Sequence, residues 1–291
     1  MESRVAIWLG AIRPRTLPAA VVPVVVGLGL AARSRRLDVP LALATLAAAL
    51  LIQIGTNLAN DYYDARSGAD TSARLGPRRV TQAGLVAPTA VLRAALGVLG
   101  AAGLVGIHLV VTGGWPILAI GVASIACAIA YTGGPFPLAY HGLGDAFVFL
   151  FFGIVAVNGT QYLQTGTIDR ASLLASLPVA CLATAILVVN NLRDIPTDGP
   201  AGKRTLAVRI GERATRAEWK MLVGAAFLAL PVVAGSVGAT SLVAVLALPL
   251  AVHEGRSLGR RTGAALNESL AGTARLHLAF GLLLAIGCAL A

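Results

Sequence analysis

Residues 172–198, SLLASLPVACLATAILVVNNLRDIPTD, decide the fold. The first 21 of these residues, 172–192, contain no charged side chain, and about 20 apolar residues let a helix cross the hydrocarbon core of a bilayer. The stretch then ends in Arg193, Asp194 and Asp198. This pattern predicts a membrane-spanning helix with acidic residues at one end.

Comparable apolar runs recur along the chain. Of its 291 residues, 57% are apolar and 12% are charged, about half the charged share of a soluble domain. We predict an all-α, polytopic membrane protein that forms a single domain over residues 1–291, with about nine transmembrane helices. The candidate spans are 17–32, 40–60, 89–111, 115–131, 143–164, 172–192, 219–236, 239–252 and 274–291.

The basic residues are unevenly placed between these spans. If the N-terminus is cytoplasmic, most arginines and lysines lie in inner segments, as the positive-inside rule requires. The outer loops hold only Arg33, Arg35, Arg36 and Arg170. We expect a multi-pass protein of the cell membrane, embedded in the lipid bilayer, with its N-terminus and polar inner loops in the cytoplasm. The net charge of +10 does not indicate a nucleic-acid partner, because no soluble surface is available to bear it.

The first polar inner loop begins with an acidic element at the end of the second span. Asn57, Asn60, Asp61 and Asp64 are spaced by three and four residues, so a helix presents them on one face. Carboxylates at this depth are costly unless they are paired or bind a metal. Oxygen ligands suit Mg²⁺, which usually shares its coordination with substrate phosphates. The alternative is a polar helix end that enters water.

A second acidic element, with Asn190, Asn191, Asp194 and Asp198, follows the sixth span. Its last three members share a face if the helix continues past Pro196; otherwise the proline places Asp198 on a loop.

The two acidic elements are related by a common offset. Asn57 and Asn190 lie 133 positions apart, as do Asp61 and Asp194. This offset suggests two similar four-helix halves plus a ninth helix. Repeats of this kind commonly place the site at their interface.

Basic residues follow each acidic element: Arg74, Arg78 and Arg79 after the first, Lys203 and Arg204 after the second. Together these groups suit a diphosphate, because Mg²⁺ bridges it to carboxylates while arginine or lysine contacts the remaining oxygens. The proline- and glycine-rich stretch 131–145, YTGGPFPLAYHGLGD, is either a simple turn or part of an aromatic acceptor pocket. In the next span, Asn158, Gln161, Tyr162 and Gln164 either join helices or line that pocket.

Five stretches, in order, resemble the UbiA superfamily of intramembrane prenyltransferases, most closely its menaquinone branch. They are 13–18 (RPRTLP), 57–70 (NLANDYYDARSGAD), 75–85 (LGPRRVTQAGL), 131–153 (YTGGPFPLAYHGLGDAFVFLFFG) and 190–211 (NNLRDIPTDGPAGKRTLAVRIG). The resemblance implies Mg²⁺-dependent transfer of a polyprenyl group from polyprenyl diphosphate to 1,4-dihydroxy-2-naphthoate. Carbon dioxide and diphosphate would be lost, giving demethylmenaquinol in menaquinone biosynthesis.

The resemblance also implies roles for individual residues. Asp61, Asp64, Asp194 and Asp198 would be catalytic and hold Mg²⁺, and Tyr131 would face the reacting carbon. The residues implied in substrate binding are Asn57, Asn60, Asp70, Arg78, Arg79, Asn190, Asn191, Lys203 and Arg204.

Three alternatives remain at this point. A related enzyme would prenylate another aromatic acceptor. A transporter or cation channel would need polar residues spread through several spans towards both faces. A phosphoalcohol transferase would show one contiguous Asp-rich run, which the sequence lacks.

Overall fold

The computed structural model describes residues 3–34, 37–70 and 74–291, and every regular element within them is helical. The predicted fifth span, 143–164, contains a π-helical segment, Leu150–Val155, between two α-helices. The α-helices are α1 (Arg4–Ile12), α2 (Pro18–Ala32), α3 (Val39–Arg66), α4 (Pro88–Gly113), α5 (Trp115–Ala130), α6 (Gly144–Phe149), α7 (Ala156–Thr165), α8 (Arg170–Asp198), α9 (Leu206–Leu228), α10 (Leu230–Val237), α11 (Leu248–Leu258) and α12 (Leu266–Ala289).

These helices supply the membrane spans. Within the described ranges, seven helical segments are long and apolar enough to cross a bilayer. They are Val39–Arg66, Pro88–Gly113, Gly144–Thr165, Arg170–Asp198, Leu206–Val237, Ala239–Leu258 and Gly263–Ala289. The pair Arg4–Thr16 and Pro18–Ala32, bent by 51°, makes an eighth, and Trp115–Ala130 is a shorter apolar helix. The prediction of an all-α, multi-pass bundle is confirmed. The predicted number of about nine spans is approximate, since the described residues contain seven such segments, or eight with the bent pair.

Two helices continue beyond the apolar runs that predicted them. The predicted second span ends at residue 60, but α3 continues to Arg66, and α8 continues to Asp198 through Pro196. Hydropathy marks only the part of a helix inside the hydrocarbon layer, whereas the backbone hydrogen bonds extend the helix into the polar layer. Asp198 therefore lies on α8 one turn after Asp194, on the same helix face.

Small residues set the helix packing. A Cβ on Gly29 of α2 would lie 2.4 Å from the carbonyl oxygen of Ala285 in α12, and one on Gly153 would lie 2.1 Å from Cβ of Ala180 in α8. Such contacts let backbones approach closely, which supplies the packing energy that the hydrophobic effect does not provide inside lipid. The helix α8 lies at the centre of the bundle, and almost all its side chains from Ala171 to Val189 are at least partly buried.

The long helices α3 and α8 have matching ends. Asp38 caps the first turn of α3 and Asp169 caps that of α8, and each helix ends in an acidic element. This correspondence is what two related halves require, although the duplication itself stays a prediction. Arg35 and Arg36, which we predicted to lie in an outer loop, are outside the described residues.

Gln164 joins the end of α7 to the start of α3, as one of the two interpretations of this residue predicts. Its Oε1 accepts the backbone N–H of Asp38 at 2.7 Å, and its Nε2 donates to the carbonyl oxygen of Asp38 at 3.1 Å. Asn158 and Gln161 are buried within the bundle.

The close approach at Gly29 gives a test of the packing. We expect Gly29→Val to cost about 1–3 kcal/mol, because overpacking forces α2 and α12 apart. The measurement is the thermal unfolding midpoint of the purified protein in detergent. Gly97→Val on α4 is the matched control, since no atom lies within 4 Å of a Cβ at that position. Equal midpoints for both variants would contradict the packing.

Candidate active site

The end of α3 turns a polar face towards the interior of the bundle. Asn57, Asn60, Asp61 and Asp64 are all at least nine-tenths buried. They share one buried face, as their spacing predicts.

The two asparagines join α3 to neighbouring segments. Nδ2 of Asn57 donates to the carbonyl oxygen of Ile12 at 2.9 Å and to Oγ1 of Thr16 at 3.0 Å. Oδ1 of Asn60 accepts a hydrogen bond from Oγ1 of Thr132 at 2.8 Å. The asparagines therefore fix the start of the chain and the turn after α5 around the end of α3.

The carboxylate of Asp61 accepts hydrogen bonds from two backbone N–H groups. Its Oδ2 accepts the N–H of Val80 at 3.1 Å and its Oδ1 accepts the N–H of Thr81 at 3.0 Å. Only 1% of the residue is exposed. Because both carboxylate oxygens are engaged, Asp61 anchors the segment that presents Arg79. Its role as a metal ligand stays a prediction.

Arg193 holds the second acidic element in place. Its guanidinium donates from Nε to Oδ1 of Asp194 at 2.8 Å and from Nη2 to Oδ2 at 2.6 Å. Nη1 donates to Oδ1 of Asn267 at 2.8 Å, and Nδ2 of Asn267 donates to the carbonyl oxygen of Leu75, also at 2.8 Å. Through these bonds the start of α12 connects α8 to the loop after α3.

Lys203 brings the two acidic elements together. Its Nζ lies 3.7 Å from Oδ2 of Asp64 and 3.8 Å from Oδ1 of Asp198. Burial lowers the pKa of the lysine, but the neighbouring carboxylates, Asp64 first, outweigh that effect and raise the pKa above its ordinary value. Lys203 is therefore a cation shared by both elements.

Arg74 makes a second connection between the elements. Its Nη1 lies 2.5 Å from Oδ1 of Asp70, and its Nη2 lies 4.0 Å from Oδ2 of Asp194. Arg79 contacts Oδ2 of Asp64 at 3.1 Å; its Nε lies 3.2 Å from Oδ2 of Asp70, but without hydrogen-bond geometry. Burial raises the pKa of Asp70 to about 6 although Arg74 opposes the shift.

Four carboxylates thus contact four cations: Asp64, Asp70, Asp194 and Asp198 with Arg74, Arg79, Arg193 and Lys203. A buried charge costs several kcal/mol unless a partner compensates it. The mutual pairing makes a cluster of this charge density possible, and it leaves both signs available to a charged ligand.

A cavity of about 540 Å³ extends from this cluster into the bundle. We call its charged and amide-lined part the polar end; the residues there are Asn57, Asn60, Asp64, Arg79, Asn190, Asn191 and Lys203. The rest of the lining is mostly apolar. Ile107 of α4 and Val122 of α5 line the cavity and are about 60% exposed, so the cavity reaches the lipid-facing surface between these helices.

Two tyrosines stand near the polar end. Tyr131 lines the cavity, and burial followed by the charges of Asp145 and Asp64 raises its pKa well above the ordinary value. The hydroxyl of Tyr140 donates to Oδ1 of Asp64 at 3.1 Å, and burial and Asp64 raise its pKa as well. Both side chains are therefore neutral phenols at pH 7, which present an aromatic face or donate a hydrogen bond.

The carboxylates of the ion cluster suit Mg²⁺, which prefers oxygen ligands. Asp64 lines the polar end, and elsewhere in the cluster Oδ2 of Asp70 is buried without a hydrogen-bond partner. In the described part of the chain, no three acidic, histidine or cysteine side chains converge closely enough to form a metal site on their own. Such a cluster needs oxygens from a substrate to complete the six-ligand shell of Mg²⁺.

Two of the predicted binding residues lie apart from the polar end. Arg78 and Arg204 are exposed, while their neighbours Arg79 and Lys203 point inwards. The backbone N–H of Arg204 donates to the carbonyl oxygen of Tyr140 at 3.2 Å. The roles of Arg78 and Arg204 on the diphosphate stay predictions.

Several residues at the site were not predicted individually. Arg13, Thr16 and Thr132 line the cavity, and Asn267 positions Arg193 from α12. The first three lie within stretches that carry the sequence resemblance, which was the available signal. Asn267 lies in a region where only hydropathy was informative.

Fold and site together define a multi-pass membrane protein with a buried ion cluster at one end of a largely apolar cavity. The 1,4-dihydroxy-2-naphthoate octaprenyltransferase of Mycobacterium tuberculosis is 44% identical over 219 residues, which cover 75% of each chain. The protein of the same name from Escherichia coli is 42% identical over 216 residues, covering 72% of this chain and 70% of the relative.

Solved structures share the fold. A UbiA homolog from Archaeoglobus fulgidus bound to GPP and Mg²⁺ matches with a TM-score of 0.68 at 14% identity, over 96% of this chain and 99% of that chain. An apo UbiA homolog from Aeropyrum pernix matches with a TM-score of 0.66 at 16% identity, over 99% and 98% of the two chains. The profile of the UbiA prenyltransferase family matches residues 20–271. The chain belongs to the UbiA prenyltransferase family.

The contacts of Asp61 predict what its loss would change. We expect Asp61→Asn to speed backbone hydrogen–deuterium exchange across residues 80–86 by about tenfold or more. An amide cannot accept both N–H bonds as a carboxylate does, and a charged hydrogen bond is worth about 1.5–3 kcal/mol.

Exchange is measured by mass spectrometry on the detergent-solubilised protein. The matched control is Asp198→Asn, which also neutralises a buried acid but does not touch this segment. Unchanged exchange in Asp61→Asn would disprove the anchoring role.

Proposed function

We propose that this protein transfers a polyprenyl group from a polyprenyl diphosphate to 1,4-dihydroxy-2-naphthoate. Carbon dioxide and diphosphate are released, and demethylmenaquinol is formed in menaquinone biosynthesis. The observation that carries the proposal is the paired ion cluster at one end of a long apolar cavity, a shape that matches a charged headgroup on an isoprenoid tail. The names of the similar relatives support the choice of acceptor.

The polar end binds the diphosphate in this proposal. Asp61, Asp64, Asp194 and Asp198 would hold Mg²⁺, and the divalent ion reported with a structural relative supports that choice. Arg79 and Lys203, which line the cavity, exchange their carboxylate partners for diphosphate oxygens. Mg²⁺ held there would supply positive charge against the negative charge that develops on the diphosphate as the allylic carbon–oxygen bond breaks.

In this proposal Tyr131 faces the allylic carbon. It lines the cavity, and its raised pKa keeps it a neutral phenol. The ring face stabilises a developing carbocation through cation–π attraction. A phenol of this kind is a poor general base.

The acceptor ring is the nucleophile of the reaction. The ring carbon that bears the carboxylate attacks the allylic carbon, forming a carbon–carbon bond as the carbon–oxygen bond to diphosphate breaks. The carboxylate then leaves as CO₂, and its bonding electrons restore the aromatic ring. The diphosphate departs with the electron pair of the broken bond.

The apolar part of the cavity binds the tail. Each CH₂ removed from water contributes about 0.8 kcal/mol, although a tail arriving from lipid gains less. The opening between α4 and α5 gives a lipid-dissolved tail a lateral path into the cavity.

We also propose the orientation that the basic loops favour. With the N-terminus in the cytoplasm of a cell-membrane protein, the polar end faces the cytoplasm, where the polar acceptor and Mg²⁺ are available. The carboxylates gather at one end of the bundle, which favours an enzyme over a transporter or channel with polar groups towards both faces.

The acceptor assignment is tested with purified protein, octaprenyl diphosphate and Mg²⁺. We expect prenylation and CO₂ release with 1,4-dihydroxy-2-naphthoate, and little product with 4-hydroxybenzoate or homogentisate. Product is measured by liquid chromatography and mass spectrometry. Faster turnover with either of the other acceptors would overturn the assignment.

The same assay includes variants of the ion cluster as controls. Asp64→Asn and Asp194→Asn should lose at least about 100-fold in turnover, the scale of losing one preorganised electrostatic contact. Glu212→Gln removes an exposed acid of a surface ion pair and should leave turnover unchanged. Near-normal Mg²⁺-dependent turnover in Asp64→Asn would remove the metal assignment.

The tail-binding role of the cavity gives a chain-length prediction. Gly106 lines the cavity, and no atom lies within 4 Å of a Cβ there, so Gly106→Leu places its side chain in the space we assign to the tail. We expect the KM for octaprenyl diphosphate to rise about tenfold or more, because the tail loses part of its apolar contact. Turnover with geranyl diphosphate should change little.

Gly100→Leu is the control on the same helix, since Gly100 has equally open surroundings but does not line the cavity. An equal effect on the short and the long donor would contradict the tail assignment.

A further inference from the structure

A second groove lies outside the active-site cavity, between α9 and α11. It has a volume of about 600 Å³ and shares no lining residue with that cavity. Gly224 on α9 lines the groove together with the small residues Ala251 and Gly255 of α11 and Gly259, which follows the end of α11. No atom lies within 4 Å of a Cβ at Gly224, so the missing side chain leaves room between the two helices.

Three basic side chains line one end of this groove. Lys220, Arg256 and Arg260 are exposed, and in the described part of the chain none contacts a carboxylate. The acids on these helices are engaged elsewhere: Glu212 pairs with Arg216, and Glu254 with Arg261. Glu218, beside Lys220 in sequence, does not line the groove. The groove therefore has unbalanced positive charge.

The charged end lies at the edge of the apolar layer. Lys220 immediately precedes the uncharged run 221–237, and Arg256 and Arg260 follow the uncharged run 239–252. The other end is lined by apolar side chains, among them Phe227 and Leu248. The groove thus combines cations at the interface with an apolar trough inside the membrane.

The cations lie on the same side of the membrane as the active site. The helix α9 begins three residues after Lys203, and Arg216 of α9 donates to the carbonyl oxygens of Leu258 and Arg261 at the end of α11. Anionic lipid is attracted to basic residues at such an interface.

We propose that this groove binds one anionic glycerophospholipid. Its phosphate contacts Lys220, Arg256 and Arg260, and one acyl chain lies along the trough past Gly224 and Phe227. Charge complementarity and the position of the groove in the bilayer identify this occupant. The site is separate from the prenyl diphosphate site and does not depend on the function proposed above.

Native mass spectrometry of the full-length protein tests the proposal. The detergent-solubilised protein is titrated with phosphatidylglycerol and, separately, with phosphatidylcholine. We expect one tightly bound phosphatidylglycerol and no equivalent phosphatidylcholine. The triple variant Lys220→Gln, Arg256→Gln, Arg260→Gln should bind phosphatidylglycerol about 100-fold more weakly, since each basic residue near anionic lipid contributes about fivefold.

Two further variants test whether lipid binding also depends on the acyl trough and whether it depends on overall net charge. Gly224→Leu keeps all three cations but fills the trough, and it should weaken binding at least tenfold. Arg4→Gln, Arg93→Gln, Arg170→Gln removes the same charge from exposed arginines outside the groove, and it should bind like the original protein.

Several results would overturn the proposal. One is undiminished phosphatidylglycerol binding in the triple variant or in Gly224→Leu. Displacement of the lipid by glycerol phosphate alone would show a headgroup site without an acyl trough. A dimer that the triple variant abolishes would show that a second copy covers the groove. Prenyl transfer by the triple variant in neutral detergent, measured alongside, reports whether the active site has remained intact.

Discussion

The burial of four carboxylates within one small volume is the constraint on which the rest of the site depends. Asp64 lies on α3 and Asp70 just after it, Asp194 and Asp198 lie on α8, and each of the two segments supplies two of the cations that contact these acids. Lys203 and Arg74 each contact acids from both elements. Because buried charges must be compensated, this sharing requires the ends of α3 and α8 to meet.

Supports from distant parts of the chain hold the cluster in shape. Asp61 binds two backbone N–H groups of the segment that presents Arg79. Asn267, at the start of α12, binds Arg193 and the carbonyl oxygen of Leu75. Such bonds fix charged side chains before a ligand arrives, which is the preorganisation that electrostatic stabilisation requires. The last helix is therefore part of the site although its acidic and basic residues lie elsewhere.

The apolar part of the cavity reflects the position of the protein in a membrane. A cavity with an ion cluster at one end and apolar walls elsewhere accepts a molecule that is itself divided into a charged head and a hydrocarbon tail. Glycines make the space: Gly103 and Gly106 line the cavity and have open surroundings, while Gly29 and Gly153 let helices touch. The same residue type thus closes the bundle in one place and opens it in another, according to what it faces.

The sequence by itself determined the helical membrane architecture and the two acidic elements, because hydropathy and helical spacing are local properties. It also indicated the family through its motifs. It left open whether the helix continues past Pro196, and tertiary structure decided that α8 reaches Asp198. The structure also showed that Arg79 is buried while Arg78 is exposed. It placed Arg13 in the lining of the cavity and Asn267 in contact with Arg193. These features depend on contacts between residues far apart in the chain, and a local pattern holds no information about which neighbour a side chain will meet.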